Sequence, residues 1–458
     1  MTTRREFLAA AAAALTAPRF AAIRRSGRRF SPRPTPSPSQ LAWQRDELAM
    51  FLHFGVNTFT DREWGDGHED PAIFAPDALD ARQWARAARA GGFRAMILTA
   101  KHHDGFCLWP TATTQHSVAS SAWRNGQGDV VREFTEACRT FGLKAGVYLS
   151  PWDRNAPAYG DSPRYNDMYC AQLTELLTRY GPIAEVWFDG ANGEGPNGRR
   201  QVYDWPRFWG LVRRLQPDAV MFSDAGPDIR WIGNEDGHAA ETNWSTVDPA
   251  VVPYPGASGP AVTAMLQHGD PDGTVWRPGE CDVSIRPGWF NHVAEDDRVK
   301  SVDQLVNLYC SSVGHNAKLL LNVPPDRHGL LHDTDVARLA GMRSALDAAF
   351  ANDIAHGRHW EWRTDGHSAI GQVELGRARM VDAVDLAEDV ARGQVVARYR
   401  VEGWVNGRWQ TVSDGTTIGN RKIDRIRAAA YSAVWVTILA ALGRPDDVTV
   451  ALRGASSA

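Results

Sequence analysis

The residues of this chain best suited to covalent chemistry are carboxylates and imidazoles that follow short apolar runs. Glu185-Val186-Trp187-Phe188-Asp189-Gly190 ends such a run in a carboxylate, and Gly190 behind it is expected to leave room for a substrate. A carboxylate at the edge of a buried run is costly without a partner or a task, and capping the next loop is the alternative to catalysis. His53 lies in Phe51-Leu52-His53-Phe54-Gly55, and His102 and His103 in Lys101-His102-His103-Asp104-Gly105-Phe106. On a continuing strand those adjacent histidines would point to opposite faces, so both reach one ligand only where the strand breaks. Histidine also binds zinc, but neither His-x-His nor His-Glu-x-x-His spacing occurs, and hydrogen bonds to hydroxyl groups are the expected use. A second carboxylate would complete the pair that glycoside cleavage requires, a nucleophile on one face of the anomeric carbon and an acid near the leaving oxygen. Glu235, in Arg230-Trp231-Ile232-Gly233-Asn234-Glu235-Asp236-Gly237, is the candidate, and the apolar Trp231 ring beside it would raise its pKa. Glu63, Asp224, Glu241 and Glu280 are its rivals. Sequence spacing does not measure the carboxyl separation, about 5 to 5.5 Å for a retaining enzyme.

Positioning these groups falls to a series of apolar runs separated by segments of helical periodicity, the pattern of βα units around a parallel sheet. The runs are Met50–Thr58, Arg94–Thr99, Lys144–Ser150, Ala184–Phe188, Ala219–Ser223 and Lys318–Val323, with Arg230–Gly233 and the Asp282–Ile285 region bringing the count close to eight. Each reads as a strand buried on both faces. Helices are expected over Asp80–Ala90, Val130–Phe141, Met168–Tyr180, Val302–Val313 and Asp335–Phe350; the first three end at glycine. The fold class is therefore α/β, a (β/α)8-like TIM barrel over residues 41–352, whose active site belongs where the strands end. An open sheet is the alternative, and no Gly-rich dinucleotide fingerprint follows the first strand to favour it. After about residue 352, short alternating segments such as Gly371–Leu375, Gln394–Glu402 and Ala433–Leu439 predict an all-β sandwich over residues 353–458, there to brace the barrel or bind sugar.

The 458 residues carry 50 Lys and Arg against 54 Asp and Glu, a formal charge of −4 that offers no basic field for nucleic acid. Eighteen tryptophans suit either a core or the C–H faces of sugar rings. Thr3-Arg4-Arg5-Glu6-Phe7-Leu8 and the apolar run Ala9–Ala17 read as a signal peptide of the twin-arginine type, too short for a stable membrane span. With a proline-rich linker it fills residues 1–40, and the mature protein is expected outside the cytoplasm, periplasmic or extracellular. Five cysteines, an odd number without close-spaced pairs, are expected as buried thiols.

With Glu63-Trp64-Gly65, Tyr148-Leu149-Ser150-Pro151-Trp152 and Leu320-Leu321-Asn322-Val323-Pro324-Pro325 added to the segments above, the chain from about Leu41 onward resembles the α-L-fucosidases of glycoside hydrolase family 29. The resemblance implies an exo-acting, retaining hydrolase of fucosylated glycans, with Asp189 as nucleophile and no metal or organic cofactor. It implies a pocket for one fucose lined by His53, Glu63, Trp64, His102, His103, Tyr148 and Trp187. The segment around Glu235 resembles the subgroup acting on α1,3/4-linked fucose and makes Glu235 the acid/base, with Asp236 the runner-up. The tail Gly415–Ile423 resembles a discoidin-like sandwich. A fucose-binding protein without catalysis, a retaining glycosidase for another sugar, and net transglycosylation are the other readings.

Overall fold

The structure, a computed structural model, describes residues 32–454, so the expected signal peptide lies outside the described residues. Eight strands form one parallel sheet: β1 (Leu48–Leu52), β2 (Ala95–Lys101), β3 (Lys144–Leu149), β4 (Glu185–Trp187), β5 (Val220–Phe222), β6 (Arg230–Trp231) and, after a small antiparallel ribbon of β7 (Thr246–Val247) and β8 (Val275–Trp276), β9 (Gly279–Ser284) and β10 (Ala317–Asn322). Their spatial order is β5-β4-β3-β2-β1-β10-β9-β6. A lone parallel bridge from Phe222 to Ile229 joins the two ends, so the sheet comes round to a nearly closed barrel. Side-chain alternation then explains the continuous apolar runs. Phe51, Tyr148, Trp187, Phe222 and Leu320 pack inside the barrel, while Met50, Leu52, Leu98, Val147, Val186 and Leu321 belong to the outer layer shared with the helices.

The helices are α1 (Pro38–Arg45), α2 (Val56–Thr60), α3 (Ala81–Ala90), α4 (Val130–Phe141), α5 (Ser162–Arg179), α6 (Trp205–Leu215), α7 (Pro260–His268), α8 (Val302–Ser312) and α9 (Asp333–Phe350). Asp80 and Asp129 cap α3 and α4 through their side chains, which is why these starts were readable. Three expectations need correction. The run from Met50 to Thr58 is not one strand: β1 stops at Leu52 and the chain turns into α2, a distinction that an unbroken apolar run does not encode. Helix α5 begins at Ser162 rather than Met168, with Pro163 in its first turn, where a missing N–H costs nothing. Residues 33–40 are not linker. Ser37 and Gln40 form a capping box that starts α1, and Trp43 enters the interior cluster of the barrel.

The C-terminal part is a six-stranded antiparallel sheet of β11 (Glu361–Asp365), β12 (Ser368–Glu388), β13 (Val396–Val405), β14 (Arg408–Gly415), β15 (Lys422–Ala441) and β16 (Val448–Arg453). The long strands β12 and β15 pair from Ala369–Ile438 to Leu386–Lys422, with register breaks after Glu374 and Val381. One half of the pair is flanked by β13 and the other by β16. Val373, Val384, Leu386, Val401, Val436 and Leu452 from both halves share one core, so the two layers are made from the same continuous strands. Arg421 ties this sheet to the barrel through Glu47 (3.0 Å) and Asp385 (2.9 Å), and Asn420 N–H donates to Asn316 (2.7 Å). Glu47 and Asn316 immediately precede β1 and β10, so the sheet is anchored at the N-terminal ends of the strands, away from the rim where the candidate residues lie. All five cysteines are buried and unpaired. Among the described residues no helix is long and apolar enough to cross a membrane.

Candidate active site

The ends of β1 to β4 deliver most of the predicted residues to one rim. Strand β2 ends at Lys101, whose ammonium is fully buried and bonded to Asp153 and Gln172, both at 2.9 Å. This buried pair fixes the turn that follows; removing either partner would cost about 3–5 kcal/mol. His102 and His103 occupy that turn with ring centroids 4.1 Å apart, the strand break that their adjacency required. Gly105, at φ +82°, completes it. His53 follows β1, its ring 5.6 Å from His102 and 6.1 Å from Tyr148.

Hydrogen bonding sets which ring nitrogens remain open. Asn322, at the end of β10, donates its amide to Ser284 (2.9 Å) and to the Trp289 carbonyl (2.8 Å), so its oxygen must accept from His53 Nδ1 at 2.9 Å. Nε2 of His53 is left as a lone-pair acceptor. Burial pushes the His53 pKa down to about 3, so the ring stays neutral at physiological pH. Ser150 donates its hydroxyl proton to the Trp152 carbonyl (2.6 Å) and therefore accepts from His103 Nδ1 (2.8 Å). His103 Nε2 then faces Asp189 Oδ2 at 3.9 Å. Burial holds both His102 and His103 below the ordinary imidazole range, His102 by far the more.

Asp189 lies two residues beyond β4. Tyr148 O–H donates to one oxygen (2.9 Å) and the Ala191 N–H to the other (2.7 Å), which fixes the carboxylate plane while leaving its side chain about a quarter exposed. Trp187 lies flat on Phe222, 3.9 Å between centroids at 11°, and its Nε1 donates to Glu280 (3.0 Å). Trp64 stands exposed at the mouth, edge-on to His103 and Trp152. The small size of Gly190 serves a different purpose from the one expected. A Cβ there would come within 2.8 Å of Asp224 Oδ2 and Gly256 N, so the glycine accommodates a neighbouring loop rather than a substrate.

Glu235 sits in the loop after β6. Burial raises its pKa, with Asp189, Asp236 and Glu63 adding like-charge repulsion and a hydrogen bond from Trp289 opposing. The indole that reaches it is Trp289, at 3.4 Å, and not Trp231, whose Nε1 is bonded to Asp282 at 2.7 Å. Glu63 does not present a free carboxylate. It accepts from the N–H groups of Trp289 (2.9 Å) and Phe290 (3.0 Å) and bonds His292 Nε2 (2.7 Å), so it holds the loop that carries Trp289. Of the other rivals, Glu280 is buried inside the barrel, Glu241 is exposed, and Asp224 accepts from Gly256 N–H (2.8 Å) with its pKa raised by burial to about 6. Sequence reasoning missed Trp289, Phe290 and Asn322. The Pro287-Gly288-Trp289-Phe290 segment just after β9 was the available signal for the first two. Among the described residues no group of three or more His, Cys, Asp or Glu side chains is arranged to hold a metal ion.

Known proteins similar to this chain fall in one family. The family model for alpha-L-fucosidase matches residues 36–348. Alpha-L-fucosidase 1 of Arabidopsis thaliana is 42% identical over 421 residues, covering 86% of this chain and 82% of the plant protein. A crystal structure of a glycoside hydrolase 29 family member from an unknown rumen bacterium superposes with a TM-score of 0.86 at 39% identity, covering 93% of this chain and 79% of that one. A family 29 fucosidase of Ruminococcus gnavus in complex with fucose gives 0.83 at 29% identity, covering 94% and 98%.

Proposed function

We propose, from the premise that this chain belongs to the alpha-L-fucosidase family of glycoside hydrolases, that it removes terminal α-L-fucose from fucosylated glycans by double displacement. In the first step an Asp189 oxygen bonds to the anomeric carbon as the glycosidic bond breaks, and Glu235 gives its proton to the departing oxygen. In the second, ionised Glu235 takes a proton from water, the water oxygen attacks the same carbon, and Asp189 leaves. The observation that carries this reading is a carboxylate fixed by Tyr148 and the Ala191 N–H beside neutral histidines. His53 Nε2 can accept from a sugar hydroxyl, and a buried acceptor of that kind selects against sugars that cannot supply the proton. The raised pKa of Glu235 supports its role as the acid.

The Glu235 segment also supports α1,3/4-linked fucose as the substrate. A chromatographic digest of a Lewis-type trisaccharide beside a 2'-fucosylated one tests activity and linkage together, with fucose expected from the first; release from the second alone would refute the linkage. Proton NMR of the first-formed anomer tests retention, and α-fucose is expected. Export through the twin-arginine route is part of the same proposal, supported by Arg4-Arg5 and the apolar run after them; replacing both arginines with lysine should retain the protein in the cytoplasm. So is the division into export segment, barrel and a sandwich that braces it, supported by the ties from Arg421 and Asn420.

A further inference from the structure

Strand β9 contributes three polar side chains to the barrel interior, at alternate positions, and each accepts a hydrogen bond from a side chain of another strand. Glu280 accepts from Trp187 Nε1, and Ser284 accepts from Asn322, which in turn holds His53. Between them lies Asp282, which is 3% exposed and accepts from Trp231 Nε1 at 2.7 Å. On the neighbouring β6, Trp231 pairs in register with Glu280 of β9 and is the last residue of its strand before the loop bearing Glu235. Its ring is half-buried between the interior cluster and the cluster of Ala225, Val252, Val262 and Leu266. The indole N–H is thus the directional contact that fixes how this ring, and the start of the loop, sits.

We propose that Asp282 is a positioning residue of the fucosidase reaction, fixing the Trp231 indole as the wall from which the Glu235 loop departs. The inference rests on reading the rim as the fucose site. Asp282 forms no ion pair among the described residues; burial first, then the charges of Glu235 and Asp189, push its carboxyl well above the usual range, with the Trp231 hydrogen bond opposing. A neutral acid there holds the indole without adding a further negative charge beside Asp189.

Asp282→Asn keeps a neutral acceptor for the indole, and Asp282→Leu removes it. The Asn variant is expected to keep wild-type kcat/KM and an unchanged pH profile. The Leu variant should lose up to about 100-fold in kcat/KM on a fucosylated trisaccharide, the scale of a small misplacement in a site, with its thermal transition still cooperative. Trp231→Phe, which lacks the N–H, should lose a similar factor, and adding Asp282→Leu to it should lose little more. Additive losses would overturn the inference, as would an Asn variant as impaired as the Leu variant. An alkaline limb displaced in the Asn variant would show a charged Asp282 and overturn it too. Wild-type protein that releases fucose from neither the Lewis-type nor the 2'-fucosylated trisaccharide would instead overturn the functional reading, and this inference with it. Turnover by wild type alongside an unimpaired Leu variant would overturn only the role of Asp282.

Discussion

Both ends of the barrel interior hold buried acids beside indoles, yet only one end is equipped to react. At the N-terminal end Glu185 accepts from Trp43 Nε1 (2.9 Å) and lies 3.8 Å from Lys318 Nζ, which itself stands 4.6 Å over the Trp43 ring. Glu280 interacts electrostatically with Glu185 on one side and accepts from Trp187 on the other. Burial raises the pKa of both carboxyls, and Glu185, Glu280 and Lys318 are all sealed from solvent. At the rim, partial desolvation raises the pKa of Glu235 too, but Glu235 is exposed, Asp189 is partly open and His53 Nε2 has no protein partner among the described residues. A raised carboxyl pKa is therefore shared by structural and reactive groups. Access from the rim is what separates them: the acids of the closed end are sealed, whereas Asp189 is partly open.

The sharpest way to break that contrast is to remove the open carboxylate. Asp189→Ala should lower kcat by at least about 10³-fold, as loss of a nucleophile does, with the thermal transition little changed. Added azide should restore cleavage and yield a fucosyl azide. Wild-type-like turnover of an aryl fucoside by this variant would move the nucleophile elsewhere.

Lys318→Met attacks the closed end. It leaves Glu185 and Glu280 facing each other without their cation, and breaking a buried pair in this way costs about 3–5 kcal/mol. Urea denaturation should report that loss, while kcat/KM of the folded enzyme stays close to wild type. A large fall in kcat/KM with stability intact would mean that the two ends are not separate in function.

The rim was readable in the sequence because its residues follow apolar strands, and a residue after a strand in a parallel barrel has only one place to go. Asp189, His53, His102 and His103 were found that way, whereas Tyr148, inside β3, came only from the family resemblance; the adjacency of His102 and His103 even required the turn that follows Lys101. The supports were not readable. Gly279–Ser284 alternates acidic and small residues, a pattern that normally marks one wet face; here the polar face turns inward, because indole N–H groups from β4 and β6 need acceptors. Asn322 sits in the Leu320–Pro325 segment, but only the fold brings it to His53. The choice between Trp231 and Trp289 as neighbour of Glu235 was equally hidden, since Trp289 arrives from 54 residues away. In the C-terminal sheet the alternation was visible in pieces, whereas the joining of those pieces into two long strands depends on bulges that no local pattern announces.

The smallest predicted effect tests the open end without touching the pocket contacts. Asp236 is exposed and acts on Glu235 only as a like charge. A general acid works in its protonated form, so kcat/KM falls as pH rises through the Glu235 pKa. Asp236→Asn removes a negative neighbour, makes the ionised form of Glu235 easier to reach, and so moves the alkaline limb to lower pH. The displacement should be slight at low salt and vanish near 1 M salt, where the screening length is about 3 Å. Burial and the Asp189 charge should still hold the limb above the ordinary carboxylate range in the variant. A limb that moved to higher pH, or one unaffected by salt, would mean that Asp236 acts by contact rather than by charge, and that the acid at this rim is not Glu235.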